Sequence, residues 1–135
     1  MGYMIGYKPI DNEEVSPLIN ITVPTPDVTI TKQADPQLSH IYGFTDFHLI
    51  TREKGGIFMF YNAAGELLFV GKARKLRPRI KKHFEDTVSP MKSHREEVTT
   101  IEVCIIEDPV DREIYETYII NTMRAKYNVD KVLYK

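Results

Sequence analysis

GGIFMFYNAAGELLFVGKA, residues 55–73, is the segment from which the architecture of this chain can be predicted. It contains two short apolar runs, 57–61 and 67–70, and both are rich in residues that favour β-strands. The segment between them, 62–66, consists of Asn, two Ala, Gly and Glu, which is the composition of a turn. Two such runs around a short glycine-containing loop predict a β-hairpin.

The pairing of this hairpin follows from how its loop closes. If the loop closes symmetrically, Phe58 faces Phe69 across the ladder, and Phe60 faces Leu67. Phe58 and Phe69 would then be neighbours on one face of the sheet, because side chains alternate between the two faces along a strand.

A short helix is predicted directly after the hairpin, over residues 76–84. Leu76, Ile80 and Phe84 recur at a spacing of four, so they form one apolar stripe that a helix would turn toward the core. Pro78 is compatible with a helix only when it lies in the first turn.

The remainder of the chain predicts three further elements. Ser93, followed three residues later by Glu96, matches a capping box at the start of a second helix. Residues 100–106 predict a central strand, and 111–126 predict the longest helix, with Asp111 placed to cap it or to interact with its dipole. The order β-β-α-α-β-α indicates an α+β domain with a small three-stranded antiparallel or mixed sheet flanked by helices.

The first fifty residues have a different character. Five of the eight prolines fall there, so we predict an N-terminal extension over 1–50 and a separate domain over 51–135. Residues 20–31 alternate apolar and polar side chains as a strand does. Pro24 and Pro26 restrict that segment to an edge strand or an extended arm.

The composition excludes several classes of protein. Of the 135 residues, 42% are hydrophobic and 27% are charged, which is typical of a globular chain. We expect no membrane partner, because no apolar run approaches the roughly 20 residues that cross a bilayer. The N-terminus lacks the features of a signal peptide. The single cysteine, Cys104, excludes an internal disulfide framework and a Cys/His zinc cluster, so a cytoplasmic location is expected.

Positive charge is concentrated in one segment although the net charge is −1. Like charges spaced four residues apart destabilise a helix, and no acidic residue compensates them within the segment. A solvated helix face is the ordinary interpretation, but such a cluster also suits contact with phosphates. These cations are the candidate DNA-binding residues: Lys72, Arg74, Lys75, Arg77, Arg79, Lys81 and Lys82.

Glu116 is an acidic residue in an apolar pattern. It is in helical phase with Ile120, Met123 and Tyr127, so it lies on a stripe that should face the core. A buried carboxylate needs a cationic partner or a metal. An ion pair with Arg112 is one interpretation, and a ligand for Mg²⁺, which binds through one or two carboxylates and water, is the other.

The sequence resembles the GIY-YIG endonuclease superfamily, and in particular the incision domain of UvrC-type repair proteins and small stand-alone UvrC-like bacterial proteins. The resemblance covers about residues 55–131. Four blocks carry it in register: Gly56-Ile57-Phe58, then Phe69-Val70-Gly71-Lys72-Ala73 with Leu76 to Arg79, then Glu116 followed by Ile119-Ile120, then Tyr127-Asn128.

The resemblance implies a role for each matching residue. Arg79 matches the arginine that stabilises the phosphate, and Glu116 matches the single metal-binding glutamate. Lys72 matches the lysine that follows the second motif. His83 stands where relatives carry Tyr or His, and Asn128 matches a late asparagine that organises the site.

One departure from the family pattern bears on activity. Both signature tyrosines are phenylalanine here, Phe58 and Phe69, and the second tyrosine is the favoured general base in the family. His83, Lys72, metal-bound hydroxide or a relocated phenol at Tyr61 could supply the base. Otherwise the protein binds DNA without cutting it, or the chain is an altered variant. Two aromatic residues that fill a hairpin face are also an ordinary structural pattern.

The sequence therefore supports three alternative functions. The first is a Mg²⁺- or Mn²⁺-dependent DNA endonuclease of repair or processing, acting on damaged, branched or single-strand-containing DNA. The second is a catalytically impaired DNA-binding module, because of Phe58 and Phe69. The third is a protein-interaction domain whose basic helix meets an acidic partner. No oligomeric state is predicted.

Overall fold

The computed structural model describes residues 22–33 and 41–133, and the predicted arm before residue 22 lies outside them. In chain order, the strands and α-helices are β1 (Val28–Thr31), β2 (Gly56–Tyr61), β3 (Leu67–Ala73), α1 (Leu76–Lys82), β4 (Thr100–Ile105) and α2 (Pro109–Met123). Two 3-10 helices, Phe47–Leu49 and Arg95–Glu97, lie between them.

The strands form one antiparallel sheet in the order β1-β4-β2-β3. The α+β class is thus confirmed, and the sheet has four strands, one more than predicted. The additional strand is β1, the predicted edge strand, which pairs Val28 with Val103 and Thr31 with Thr100. It begins after Pro24 and Pro26, since a proline has no N–H to donate to a ladder.

The predicted hairpin is present, but its predicted register is wrong. Phe58 pairs with Gly71 and Phe60 pairs with Phe69, a shift of two residues on β3. The ladder changes register between Phe60 and Tyr61, and the loop closes with a bond from the Asn62 N–H to the Glu66 carbonyl. A shift of two preserves the faces of the sheet. Phe58 and Phe69 are therefore still neighbours, with ring centroids 6.3 Å apart.

The core has two parts, one on each face of the sheet. One face carries Phe58, Phe60 and Phe69 and packs against α1 and the segment that contains Phe44 and Phe47. The other face packs against α2 and includes Ile57, Met59, Val70, Cys104 and Ile120. The described part of the predicted extension thus contributes both an edge strand and core aromatic residues.

Helix α1 agrees with the predicted apolar stripe. Leu76, Ile80 and Phe84 are all buried, although the helix itself ends at Lys82 and Phe84 follows it in a turn. Pro78 lies in the first turn, where its missing N–H costs no helical hydrogen bond.

The predicted second helix is wrong. Only the 3-10 helix Arg95–Glu97 forms, its N-cap residue is His94, and no side chain caps it. The Arg95 side chain reaches back to the His83 and Asp86 carbonyls, and Val98 already leads into β4. This leaves about one turn of chain, which is too little for a stable α-helix.

Helix α2 begins earlier than predicted. Asp108, not Asp111, is the N-cap, and its carboxylate accepts hydrogen bonds from the Val110 and Asp111 N–H groups. Pro109 takes the first helical position, where its fixed φ favours a helix start. Within residues 22–33 and 41–133, the structure contains no helix with the length and apolar character of a membrane span.

Candidate active site

Six of the seven predicted catalytic residues line one concavity of about 270 Å³. We call it the site concavity. Its wall is built from β3, from α1 and the turn after it, from α2, and from the segment 128–131. The six residues are Lys72, Arg79, His83, Phe69, Glu116 and Asn128.

Glu116 supplies the only acid of α2 that lines the site concavity among the described residues, and it is 7% exposed. Its Oε1 lies 2.8 Å from the Lys131 ammonium. Its Oε2 accepts no hydrogen bond from any residue that the structure describes. The predicted alternative, a pair with Arg112, is wrong, because the Arg112 guanidinium donates to the Ile106 and Glu107 carbonyls instead.

Two charged residues that sequence reasoning missed lie beside Glu116. Glu113 contacts both Lys72 and Lys131, and hydrogen bonds from Lys131 and Lys72 lower the pKa of Glu113 to about 2. Glu113 precedes Glu116 by three residues on α2, so the helical spacing could have identified it. No local pattern points to Lys131, since its contact with Glu116 spans fifteen residues of sequence.

Arg79 is exposed on α1 and faces two concavities. It lines the site concavity together with Glu116, and it also lines a neighbouring groove with Arg74, Lys75 and Lys82. In the part of the chain that is described, no carboxylate lies within ion-pair distance of its guanidinium. A phosphate oxygen could therefore approach Arg79 without displacing an internal partner.

His83 lies at the end of α1 against the phenyl ring that replaces the second signature tyrosine. Its ring centroid is 4.8 Å from that of Phe69. Burial lowers the pKa of His83 to about 4, and the Arg79 and Arg95 guanidiniums contribute in the same direction against an opposing effect of Asp86. The imidazole is therefore neutral at pH 7.

A hydrogen bond with Ser89 is the basis for assigning the imidazole proton of His83 to one nitrogen. Nδ1 lies 2.7 Å from the Ser89 Oγ, and that oxygen also accepts a bond from the Met91 N–H. Among the described residues, Nδ1 is the one acceptor within hydrogen-bond distance of this hydroxyl, so we assign the hydroxyl hydrogen to the bond with Nδ1. This arrangement satisfies all three groups, and it leaves the proton of the imidazole on Nε2.

Asn128 holds the C-terminal segment on the edge of β3. Its Oδ1 accepts from the Val70 N–H at 2.9 Å, and its Nδ2 donates to the Val70 carbonyl at 2.9 Å. The preceding N–H groups of Lys126 and Tyr127 donate to the carbonyls of Leu67 and Leu68. The Asn128 amide thus extends the backbone hydrogen bonding between the C-terminal segment and β3. It thereby positions residues 128–131, which line the site concavity.

The two signature phenylalanines have different environments. Phe69 is part of the concavity wall and is 7% exposed, whereas Phe58 is 0% exposed and does not line the concavity. A Cβ on Gly71 would lie 2.3 Å from the Phe58 ring, so the glycine of the second motif makes room for this side chain. Tyr61, the candidate for a relocated phenol, packs with the α2 face, and burial raises its pKa to about 12.

The predicted DNA-binding cations are distributed around α1. Arg74, Lys75 and Lys82 are exposed, and Lys81 is half-buried. A second groove, of about 620 Å³, lies on this helix and adds Arg52, with Glu53 and Glu85 on its wall. Arg77 also lines that groove, but its guanidinium donates to the His48 and Ile50 carbonyls and ties the segment before β2 to α1.

The chain is similar in sequence to a known protein family and to several of its members. The GIY-YIG catalytic domain family matches residues 54–128. The uncharacterized protein YurQ of Bacillus subtilis is 64% identical over 124 residues, which are 87% of this chain and 100% of that protein. UvrABC system protein C of Chlorobium luteolum is 31% identical over 81 residues, which are 56% of this chain and 12% of that protein.

Solved structures of one domain show the same fold. The GIY-YIG N-terminal endonuclease domain of UvrC from Thermotoga maritima, bound to magnesium as its catalytic divalent cation, superposes with a TM-score of 0.54 at 27% identity. The match covers 60% of this chain and 90% of that domain. From the matched segment 54–128 and from these relatives, the chain belongs to the GIY-YIG family.

Proposed function

We propose that this protein is a nuclease that hydrolyses phosphodiester bonds in DNA with the help of Mg²⁺ or Mn²⁺. One observation carries the proposal: Glu116 and Arg79 line the same concavity, together with Lys72 and His83. An acid that can hold a cation and a guanidinium that can hold phosphate oxygens thus face a common space. The setting that we propose, DNA repair or processing, rests on the family resemblance.

The residues of the site fit a hard divalent cation. Glu116 is almost completely buried, and its Oε2 is left without a hydrogen bond among the described residues. Mg²⁺ prefers oxygen ligands and completes its shell with water when a protein offers one or two carboxylates. The cation would supply Lewis acidity at the phosphate. A group of three or more metal-ligating side chains is absent from residues 22–33 and 41–133, so Glu116 would hold it largely alone.

The phenylalanines at the signature positions are compatible with a bound cation. Point mutants of the Thermotoga maritima UvrC domain in which single tyrosines are replaced by phenylalanine still bind the catalytic divalent cation. By analogy, we infer that Phe58 and Phe69 affect proton transfer more than cation binding.

Arg79 and the basic residues near it would hold the DNA backbone. We define the basic surface as the five cations on or next to α1 that lack a hydrogen bond to a carbonyl or carboxylate among the described residues: Arg74, Lys75, Arg79, Lys81 and Lys82. Arg79 is the member that also reaches the site concavity, so we assign it the phosphate that reacts. The others would contact neighbouring phosphates, which fix position without reading sequence.

His83 is better suited to donate a hydrogen bond than to accept a proton. With Nδ1 assigned as the acceptor from Ser89, the remaining proton lies on Nε2. We therefore propose that His83 contacts a phosphate oxygen through Nε2–H. Without a tyrosine or a histidine as base, removal of a proton from the attacking water is less efficient, and loss of a general base typically costs about 10²–10⁴ in rate.

A nicking assay tests the proposed function. Purified protein is incubated with supercoiled plasmid and with a branched duplex, in Mg²⁺, in Mn²⁺ and in EDTA. We expect slow, cation-dependent nicking that disappears in Glu116→Gln and in Arg79→Ala. Glu96→Gln, a matched change at an exposed glutamate away from the site concavity, should cut as the wild type does.

The same assay separates the alternatives. DNA binding without any cutting, unchanged in Glu116→Gln and weakened in Arg79→Ala, would support the binding module and overturn the nuclease. The absence of both cutting and salt-dependent DNA binding would favour the protein-interaction domain.

A further inference from the structure

The Lys131 ammonium lies between two acidic residues of α2: Glu116, which lines the site concavity, and Glu113, which does not. Its Nζ is 2.8 Å from the Glu116 Oε1 and 2.7 Å from the Glu113 Oε2. The Glu116 side chain is 10% exposed and the Glu113 side chain 44%, so the lysine bridges an inner and an outer carboxylate. A cation of the protein itself is thus in contact with the carboxylate that would bind a metal.

The backbone of Lys131 is fixed in a conformation that directs its side chain toward these two carboxylates. Its φ is +63°, a left-handed conformation that is unfavourable for a residue with a side chain. Asn121 fixes it from α2: its Nδ2 donates to the Lys131 carbonyl at 2.8 Å, and its Oδ1 accepts from the Leu133 N–H. One helix therefore carries Glu113, Glu116 and the asparagine that positions the lysine between them.

Simultaneous binding of a divalent cation and the Lys131 ammonium to the Glu116 carboxylate is electrostatically unfavourable. The ammonium contacts Oε1 of Glu116, so a divalent cation at Oε2 of the same carboxylate would lie close to it, and the two positive charges would repel each other in a partly desolvated site. Glu113 offers the ammonium a second carboxylate that it already contacts. Lys131 could therefore leave Glu116 and keep an ion-pair partner.

We propose that Lys131 is a built-in counter-cation of Glu116, and that a divalent cation binds Glu116 by displacing this ammonium toward Glu113. The inference rests on the proposed function, since it concerns the same metal site. It adds a residue that limits cation affinity and keeps the buried carboxylate paired when no metal is bound.

Calorimetric titration with MnCl2, without DNA, tests the inference by binding alone. The variants are Lys131→Met, which removes the ammonium, and Lys131→Arg, which retains the charge. Lys92→Met is the matched control, because Lys92 is exposed and lines a different concavity. Glu116→Gln reports whether the binding involves that carboxylate, and thermal melting without metal confirms that each variant is folded.

We expect Lys131→Met to bind Mn²⁺ about fivefold more tightly than the wild type, because no contact has to be broken first. Lys131→Arg and Lys92→Met should bind as the wild type does. Binding that depends on Glu116 but is unchanged or weaker in folded Lys131→Met would overturn the inference and leave the proposed metal site intact. Binding that is insensitive to Glu116→Gln, or absent in every variant, would overturn both.

Discussion

Phe69 occupies the position at which the family resemblance implies a general base, and its ring borders the site concavity next to His83. Phe69 lines the site concavity, whereas Phe58 is fully buried and does not line it. The two phenylalanines therefore differ in what a tyrosine would do there.

At Phe69, tyrosine should restore activity. We expect Phe69→Tyr to raise the rate of plasmid nicking by about 10²–10⁴, because it returns a group that can accept a proton. The gain should vanish in a Phe69→Tyr/Glu116→Gln double variant. An unchanged nicking rate in folded Phe69→Tyr would show that the missing phenol is not the limiting defect.

His83 should make folding stability depend on pH. Burial lowers its folded-state pKa to about 4, below the value of about 6.5 in an unfolded chain. The unfolded state then binds a proton that the folded state does not, so stability is lost as pH falls from about 6.5 toward 4. Urea unfolding should show a loss of about 2 kcal/mol from pH 7 to pH 5 that is attributable to this group.

The comparison variant is His83→Gln, which keeps a polar side chain beside Ser89 but cannot titrate. Its unfolding free energy should change less between pH 7 and pH 5 than that of the wild type. Equal pH dependence in the two proteins would mean that His83 is protonated in the folded state as readily as in the unfolded one.

At the scale of elements, β3 organises the site by pairing on both edges. One edge pairs with β2, and the other receives the C-terminal segment through Lys126, Tyr127 and the amide of Asn128. This second contact carries the chain past the site concavity and onward to Lys131. The asparagine therefore acts on the site by positioning a segment, without a need to touch the substrate.

Asn128→Ala should destabilise the fold. It removes both hydrogen bonds to Val70 and leaves a backbone donor and acceptor unsatisfied, a loss that typically costs about 1–3 kcal/mol. Chemical denaturation measures the difference. A loss comparable with that of a surface change such as Glu96→Gln would contradict the positioning role.

Local patterns were enough to predict some elements but not their contacts. The stripe of Leu76 and Ile80 and the apolar runs of the hairpin depend on periodicity, which is visible in sequence. The register of the hairpin could not be predicted in this way, because it depends on how the Asn62 loop closes and on an irregularity beside Phe60. The failed capping box at Ser93 shows that tertiary contacts override a local signal.

Within the site, motif spacing predicted the residues that line the concavity. It did not predict which cation neutralises Glu116. The contact of Lys131 with Glu116 requires a left-handed residue fixed by Asn121, and neither feature has a local signature. Arg77 is a related case: it lies in a cluster of similar cations, and its binding to backbone carbonyls depends on the fold and has no local sequence pattern.

At the scale of the whole molecule, charge is segregated although the net charge is −1. The basic surface lies on or next to α1, and Glu116 of α2 and Lys131 line the site concavity that Arg79 also lines. A DNA strand that meets α1 would therefore present its backbone to Glu116 across a narrow space. Binding should be electrostatic and local.

The affinity for duplex DNA should depend on salt. Replacing Lys75 and Lys82 by alanine removes two phosphate contacts, so the slope of log K against log salt concentration should become shallower by about 2. Fluorescence anisotropy from 50 to 200 mM NaCl measures it. Lys92→Ala should leave the slope unchanged, and an equal slope in the double variant would exclude these lysines from the DNA contact.

A crystal structure with Mn²⁺, analysed by anomalous scattering, shows whether Glu116 and Arg79 form one cation-dependent phosphodiesterase site. We predict a peak about 2.1 Å from a Glu116 carboxylate oxygen, inside the concavity that Arg79 lines, with the Lys131 ammonium moved away from the Glu116 Oε1. A crystal at saturating Mn²⁺ with no peak at Glu116, and with Lys131 still bound to it, would exclude Glu116 as the cation ligand.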